Sequence, residues 1–141
     1  MHLCVDGSIM SSLRKSTVYV IDDDPDVLGS LRFLLEAEGF ETLTFRTASA
    51  ALETGVPRHA DCFIIDYKMP GMNGLDLVCR LHSQNMRVPM ILITGDPDEA
   101  IAAKAMAAGV HYVLRKPHLE ESLIAHIRQA MQDDTPAARP S

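Results

Sequence analysis

The chain has 141 residues, of which 47% are apolar and 23% are charged, values typical of one folded domain with a buried core and not of a disordered chain. Thirteen Lys and Arg residues stand against nineteen Asp and Glu residues, and the formal net charge of −6 argues against direct contact with nucleic acid. Three cysteines without metal-ligand spacing indicate reduced thiols and a cytoplasmic location, and no apolar run is long enough to predict a membrane span.

Strand-like and helix-like patterns alternate five times along the chain. Short apolar runs predict strands at Thr17–Ile21, Glu41–Phe45, 62–65, 89–93 and 111–114. Apolar residues at helical spacing predict a helix from Pro25 that ends at Gly39, and further helices at Ala48–Glu53, 97–108 and 119–131. Another helix is predicted after the MPGMNG turn, where it carries Leu75, Leu77, Val78 and Leu81. Asp24 and Pro25 suit the N-cap and first position of the first helix, because proline there lacks only a donor that would have no partner in the helix.

Five successive strand–helix units predict an α/β fold with a doubly wound, five-stranded parallel sheet and helices on both faces. We expect residues 17–132 to form this domain, between a flexible N-terminal extension at 1–16 and a flexible C-terminal tail or linker at 133–141. Ligands of such folds bind at the carboxyl ends of the strands. The residues that follow the strands are therefore the candidate functional residues.

Five polar side chains follow the predicted strands at that edge. Asp22 and Asp23 follow the first strand, Asp66 the third, Thr94 the fourth and Lys116 the fifth. Three clustered carboxylates repel one another unless a cation lies among them, and a set of oxygen ligands favours Mg²⁺ or Mn²⁺ over zinc. Helix capping explains a single Asp near the start of a helix, but it explains neither Asp66 nor Lys116.

The segments VIDDDPDV, FIIDYKMPGMNGLDL, ILITGD and VLRKP resemble, in order and spacing, those of two-component response-regulator receiver domains. The resemblance covers residues 17–131, and the MPGMNG turn is similar to that of receivers that precede helix-turn-helix transcription outputs. It implies the flavodoxin-like receiver fold. It also implies a signalling domain that catalyses its own phosphorylation and dephosphorylation, rather than an enzyme.

By this resemblance, Asp66 is expected to accept a phosphoryl group from the phosphohistidine of a sensor histidine kinase or a phosphotransfer protein. Mg²⁺, for which Mn²⁺ could substitute, would be bound by Asp23, Asp66 and the backbone carbonyl of Lys68. Asp22 would act mainly through a metal-bound water. Carboxylate nucleophile and phosphoryl group are both negative, so the transfer requires a cation between them.

The resemblance also assigns roles to Lys116 and Thr94 and to a partner surface. Lys116 would pair with Asp66 before the reaction and with a phosphoryl oxygen after it, while the Thr94 hydroxyl would donate to that oxygen. Phosphorylation would switch partner binding, and a homodimer through the face formed by helix 4, strand 5 and helix 5 is one form of this switch; the alternative is that the alanines of helix 4 serve only to favour helix. Helix 4 carries the small, apolar sequence AIAAKAMAA.

One position departs from the family pattern. Receivers usually carry an aromatic residue three positions before the lysine that follows strand 5, and here that position is Val113. Tyr112 is one residue away, so strand alternation predicts that its side chain lies on the opposite face of the sheet. We therefore expect the usual coupling between the threonine and an aromatic residue to be altered, while the site itself is complete.

Two other functions share some of these residues. A Mg²⁺-dependent phosphohydrolase with an Asp nucleophile would use the same carboxylates, although the chain has no insertion for a cap domain. A receiver-like module that binds proteins without phosphorylation would not require every acidic residue and Lys116, and all are present. The sequence identifies neither the cognate kinase nor the input signal, and it fits a single-domain regulator as well as part of a longer transcription factor.

Overall fold

A computed structural model describes residues 15–53, 60–95, 99–116 and 120–133 of the chain. Five strands and five helices alternate along it, in the order β1 (Thr17–Ile21), α1 (Pro25–Ala37), β2 (Glu41–Phe45), α2 (Ala48–Glu53), β3 (Cys62–Asp66), α3 (Gly74–Ser83), β4 (Met90–Thr94), α4 (Glu99–Ala107), β5 (Tyr112–Arg115) and α5 (Glu120–Asp133). Most of the predicted N-terminal extension and C-terminal tail lies outside the described residues. None of the helices described is long and apolar enough to cross a membrane.

The strands form one parallel sheet in the order β2-β1-β3-β4-β5, which confirms the predicted α/β fold. β4 and β5 each begin and end one residue later than predicted, and β3 includes Asp66. The reason is the pairing between strands: Asp66 pairs with Ile93, and Thr94 pairs with Arg115. The ladder, which depends on the neighbouring strand, therefore extends to the polar residues that end the apolar runs.

Helices cover both faces of the sheet, and each face has its own apolar core. On one face, Val18 and Val20 of β1 pack with residues of α1 and α5. On the other face, Tyr19 and Ile21 pack with residues of α2, α3 and α4. This burial on both sides explains why every residue of β1, β3 and β4 is buried.

The alternation of β5 confirms the prediction made for its aromatic residue. Tyr112 packs against the core formed with α1 and α5, whereas Val113 packs against the opposite core, which contains Ile101 and Ala105 of α4. An edge-to-face contact joins the rings of Tyr112 and His126, with centroids 4.7 Å apart. The side chain of β5 that faces α4 is thus a partly buried valine, and the aromatic ring lies on the other side of the sheet.

The two helices next to the candidate site begin with side-chain caps. Asp24 caps α1 by accepting a hydrogen bond from the backbone N–H of Asp26 at 2.9 Å, and Pro25 follows it as predicted. Asn73 and Asp76 form a reciprocal capping box at the start of α3. These caps fix the loops that follow β1 and β3, where the candidate site lies.

Candidate functional site

Three carboxylates converge at the carboxyl edge of the sheet. Asp22 and Asp23 follow β1, and Asp66 ends the neighbouring strand β3. Each of the three offers one carboxylate oxygen, and these oxygens lie within 4.8 Å of one another. Asp22 is fully buried and Asp66 is 3% exposed, whereas Asp23 is the most accessible of the three. We call these residues the acidic triad; their predicted convergence is what the structure shows.

Lys116, after β5, reaches two members of the acidic triad. Its Nζ lies 3.1 Å from Oδ2 of Asp22 and 3.4 Å from Oδ1 of Asp66. The backbone N–H of Lys116 donates to the carbonyl of Thr94 at 3.0 Å, which holds the chain beside β4. Sequence reasoning predicted the contact with Asp66 but missed the shorter one with Asp22, because it depends on how the side chain crosses the end of β4.

The charges of the site change the acidity of the groups within it. Burial raises the pKa of Asp66 to about 6, and the negative charges of Asp22 and Asp23 contribute to this shift, while Lys116 opposes it. Burial alone would lower the pKa of Lys116, but the carboxylates of Asp22 and Asp66 outweigh it and leave the pKa raised. Lys116 is therefore held as the ammonium ion, and a second cation would favour the ionised form of Asp66.

The acidic triad has the donor chemistry of a divalent-metal site. All three ligands are carboxylates, which suit hard cations such as Mg²⁺. Oδ1 of Asp22 accepts a hydrogen bond from the backbone N–H of Asp24 at 2.9 Å. Its buried Oδ2 accepts no well-directed hydrogen bond within the described part of the chain, although Lys116 forms an ion pair with it. Three carboxylates against one ammonium leave negative charge that a divalent cation would neutralise.

The remaining predicted site residues lie on the same edge with different exposure. Thr94 is 4% exposed and directly follows Ile93, the residue that pairs with Asp66. The side chain of Lys68 is exposed, so only its backbone is a candidate for the interior of the site. The backbone N–H of Tyr67 donates to the carbonyl of Ile93 at 2.8 Å, which anchors the segment between Asp66 and Lys68 to the sheet.

The turn between β3 and α3 requires glycine at two positions, for different reasons. Gly71 adopts a φ of +78°, which side chains disfavour. Gly74 begins α3 so close to β3 that a Cβ atom would lie 2.5 Å from the carbonyl oxygen of Asp66 and 2.9 Å from Cα of Tyr67. The absence of a side chain at Gly74 thus lets α3 pack directly against the backbone of Asp66.

Sequence reasoning missed one residue at this edge. Arg46 directly follows β2, and its Nη2 donates to the backbone carbonyl of Asp23 at 3.5 Å. Because β2 neighbours β1 in the sheet, a polar residue at the end of β2 lies beside the residues that end β1. Applying the rule for strand ends to all five strands would have identified it.

Comparisons with known proteins agree on the class of this domain. A family model described as the response regulator receiver domain matches residues 18–128. The transcriptional regulatory protein FixJ of Bradyrhizobium diazoefficiens is 36% identical over 125 residues, which cover 89% of this chain and 61% of that protein. The response regulator protein TodT of Pseudomonas putida is 36% identical over 129 residues, which cover 92% of this chain and 57% of that protein.

A solved structure shares the fold as well. The signal receiver domain of an HD domain-containing protein from Pseudomonas fluorescens superposes with a TM-score of 0.79 at 31% sequence identity, covering 86% of this chain and 98% of that chain. The chain thus matches a whole receiver domain, while it spans only 61% and 57% of the two regulators.

Proposed function

Because the chain belongs to the response regulator receiver domain family, we propose that Asp66 accepts a phosphoryl group from the phosphohistidine of a sensor histidine kinase or of a phosphotransfer protein. Receivers are signalling domains rather than conventional enzymes, and the acidic triad of this chain is typical of phosphoacceptor receivers. The observation that carries the proposal is the buried carboxyl of Asp66, 3.4 Å from the ammonium of Lys116, with two further carboxylates beside it.

The reaction requires the ionised carboxylate of Asp66. One carboxylate oxygen forms a bond to phosphorus while the bond between phosphorus and the donor's imidazole nitrogen breaks. The electron pair of that bond stays on the nitrogen, and the imidazole ring takes up one proton from solvent. The product is an acyl phosphate on Asp66 and a neutral histidine on the donor, so that atoms and charges balance.

Lys116 and Thr94 act on the charge that moves during this transfer. The ammonium of Lys116 pairs with Asp66 before the reaction, and it would bind an oxygen of the phosphoryl group afterwards. The hydroxyl of Thr94 donates to another of these oxygens. Such preorganised donors stabilise the spread negative charge of a transferring phosphoryl group.

We propose Mg²⁺, which Mn²⁺ can replace, as the cofactor. Asp23, Asp66 and the backbone carbonyl of Lys68 would hold the ion, and Asp22 would act through a metal-bound water. The bound cation supplies charge neutralisation between the carboxylates and the phosphoryl oxygens. The fully oxygen-based triad supports this assignment.

Intact mass after incubation with acetyl phosphate and Mg²⁺ tests the proposal. We expect a gain of one phosphoryl group in the wild type and none in Asp66→Asn. The matched control is Glu53→Gln, an exposed glutamate at the end of α2 outside the triad, which should gain the group normally. If the wild type gains no phosphoryl group from acetyl phosphate or from phosphoramidate, the result would contradict phosphorylation and favour a module that only binds proteins. Steady release of phosphate from a phosphomonoester would favour the hydrolase instead.

We propose that phosphorylation promotes a homodimer through the α4–β5–α5 face. On α4 this face exposes Ala103, Lys104, Met106 and Ala107, with Met106 55% exposed. Sedimentation with and without a beryllofluoride mimic of the phosphoryl group should show association only with the mimic. The control variant Phe33→Ser changes an exposed apolar residue on α1, which is not an element of this face, and should associate equally. A monomer in both states at high concentration contradicts the dimer.

The proposed receiver unit comprises residues 17–132, acts in the cytoplasm and makes no direct contact with nucleic acid or membrane. The net charge of −6 supports the absence of nucleic-acid contact, because such contacts depend on neutralising phosphates. Expression of residues 15–133 should yield a folded unit that is phosphorylated at the rate of the whole chain. A lower rate would show that residues beyond these bounds take part.

A further inference from the structure

Arg46 occupies a fixed position at the opening of the acidic site. β2 ends at Phe45, whose carbonyl accepts a hydrogen bond from the backbone N–H of Asp22 at 3.0 Å. On its other side, the Thr47 hydroxyl accepts from the backbone N–H of Ala50 at 3.0 Å, which caps α2. The backbone of Arg46 is therefore held on both sides, directly beside the residues that end β1.

The guanidinium of Arg46 retains most of its donors and its full charge. Nη2 donates to the backbone carbonyl of Asp23 at 3.5 Å, a contact with a neutral acceptor. In the described segments of the chain, Arg46 forms no ion pair with a carboxylate, whereas Arg32 pairs with Glu36 and Arg128 with Glu38. An Arg side chain has five N–H donors, so this exposed group can bind a further anion.

The negative charges around the opening of the site favour a role for a cationic side chain there. The acidic triad is followed by two exposed carboxylates, Asp24 at the N-cap of α1 and Asp26 in its first turn. A phosphoryl donor is itself an anion, so these carboxylates repel it as it approaches. Lys116 lies among the carboxylates inside the site and is engaged with two of them. Arg46, in contrast, is exposed and lies beside the backbone of Asp23.

We propose that Arg46 binds the anionic phosphoryl donor at the mouth of the site and thereby increases the rate at which Asp66 is phosphorylated. This inference rests on the proposed phosphoacceptor function. Attraction by an exposed cation raises the rate of association with an anion and weakens with ionic strength. Arg46 contacts the backbone carbonyl of Asp23 and leaves the carboxylate of that residue available for the metal. We therefore expect Arg46 to change the binding of the phosphoryl donor and not the binding of Mg²⁺.

Acetyl phosphate is the probe for the test. Its reaction with Asp66 forms a bond between the carboxylate oxygen and phosphorus and releases acetate with the electron pair of the broken bond. We expect the second-order rate constant, measured by intact mass at low ionic strength with saturating Mg²⁺, to fall about fivefold in Arg46→Ala and further in Arg46→Glu. Arg46→Lys should stay within about twofold of the wild type, because it retains the charge.

The controls separate donor binding from other roles. Arg32→Ala removes an exposed arginine on α1 that pairs with Glu36, and it should leave the rate unchanged. Mg²⁺ affinity should be nearly equal in wild type and Arg46→Ala, and about 0.5 M salt should remove most of the rate difference, since the Debye length is then only a few ångströms.

The outcomes distinguish this inference from the function beneath it. Absence of phosphorylation in the wild type contradicts the proposed function itself. Normal phosphorylation of the wild type with equal rates in Arg46→Ala contradicts the inference alone. A rate loss matched by an equal loss of Mg²⁺ affinity would show that Arg46 acts by positioning Asp23, and it would overturn donor binding.

Discussion

At the scale of single residues, Asp66 shows how one buried carboxyl links stability to function. The same burial and negative neighbours that raise its pKa to about 6 make the charged form costly in the metal-free protein. A cation that favours the ionised carboxylate therefore also relieves this cost. The proposed phosphoryl acceptor is thus a group whose ionisation the fold disfavours.

We expect Asp66→Asn to stabilise the metal-free protein at neutral pH. The pKa of Asp66 is above its ordinary value of 3.8, so its favourable contribution to stability is complete below pH 4 and is lost as the pH rises through 6. The free energy of unfolding of the variant should therefore exceed that of the wild type by about 1–2 kcal/mol at pH 7.5 and by less at pH 4.5. Urea denaturation in chelator at both pH values measures this, and an equal difference at the two pH values would contradict it.

A second residue-scale prediction concerns Thr42 of β2. Its buried hydroxyl has no hydrogen-bond partner among the residues that the structure describes. Thr42→Val replaces that hydroxyl with a methyl group, and we expect it to raise the free energy of unfolding by about 1 kcal/mol. The control is Thr44→Val, at a half-buried position on the same strand, which should change it by less. Destabilisation by Thr42→Val in chemical denaturation would indicate that the hydroxyl is satisfied.

At the scale of elements, the start of α3 depends on the close approach of Gly74 to the backbone of Asp66 at the end of β3. Gly74→Ala would place a Cβ atom 2.5 Å from the carbonyl oxygen of Asp66, and backbone atoms cannot move aside at low cost. We expect a loss of about 1–3 kcal/mol in unfolding free energy and slower phosphorylation of Asp66. Thermal and urea unfolding measure the first effect, and intact mass after acetyl phosphate measures the second.

The matched control for this prediction is Gly29→Ala on α1. A Cβ atom at Gly29 would meet nothing within 4 Å, and the helix interior favours alanine. The free energy of unfolding of this variant should rise by about 0.5–1 kcal/mol, and its phosphorylation rate should equal that of the wild type. Equal effects of the two substitutions would show that the contact with Asp66 is unimportant.

β5 is the element whose sequence departs from the family resemblance, and the fold limits what can replace the usual aromatic residue. Val113 is partly buried against the core shared with α4, and Tyr112 packs on the opposite face. A side chain cannot change face without shifting the register of the whole strand. Among the described residues, two contacts link the site edge to the side of the sheet covered by α4: the smaller side chain of Val113 and the backbone hydrogen bond from Lys116 to Thr94.

At the scale of the whole molecule, metal binding should stabilise the folded chain, because the acidic triad forms only when β1 and β3 pair. Mg²⁺ at ten times its dissociation constant should add about 1.4 kcal/mol to the free energy of unfolding and raise Tm accordingly. Asp23→Ala should abolish this increase and Asp22→Ala should reduce it. The control Glu53→Gln should respond like the wild type, and an unchanged response in Asp23→Ala would contradict the assignment of the site.

Much of the architecture could be predicted from local patterns in the sequence. Apolar runs and helical spacing predicted all five strands and all five helices, and Asp24 and Pro25 predicted the start of α1. The alternation of side chains along a strand predicted the opposite faces of Tyr112 and Val113. These features depend on neighbouring residues in the chain, whose geometry the backbone fixes. The convergence of the acidic triad followed from a topological rule that holds for parallel sheets.

What the sequence could not determine depends on distances between side chains from different elements. The division of Lys116 between Asp22 and Asp66, the raised pKa of Asp66 and the contact of Gly74 with the acceptor backbone all arise from packing across strands and between helix and sheet. The extra residue at the end of β4 and of β5 likewise depends on pairing with the neighbouring strand. The sequence alone therefore determined which groups meet at the carboxyl edge, because topology brings strand ends together, whereas only the tertiary structure decided their separations and charges, because these depend on packing and burial in three dimensions.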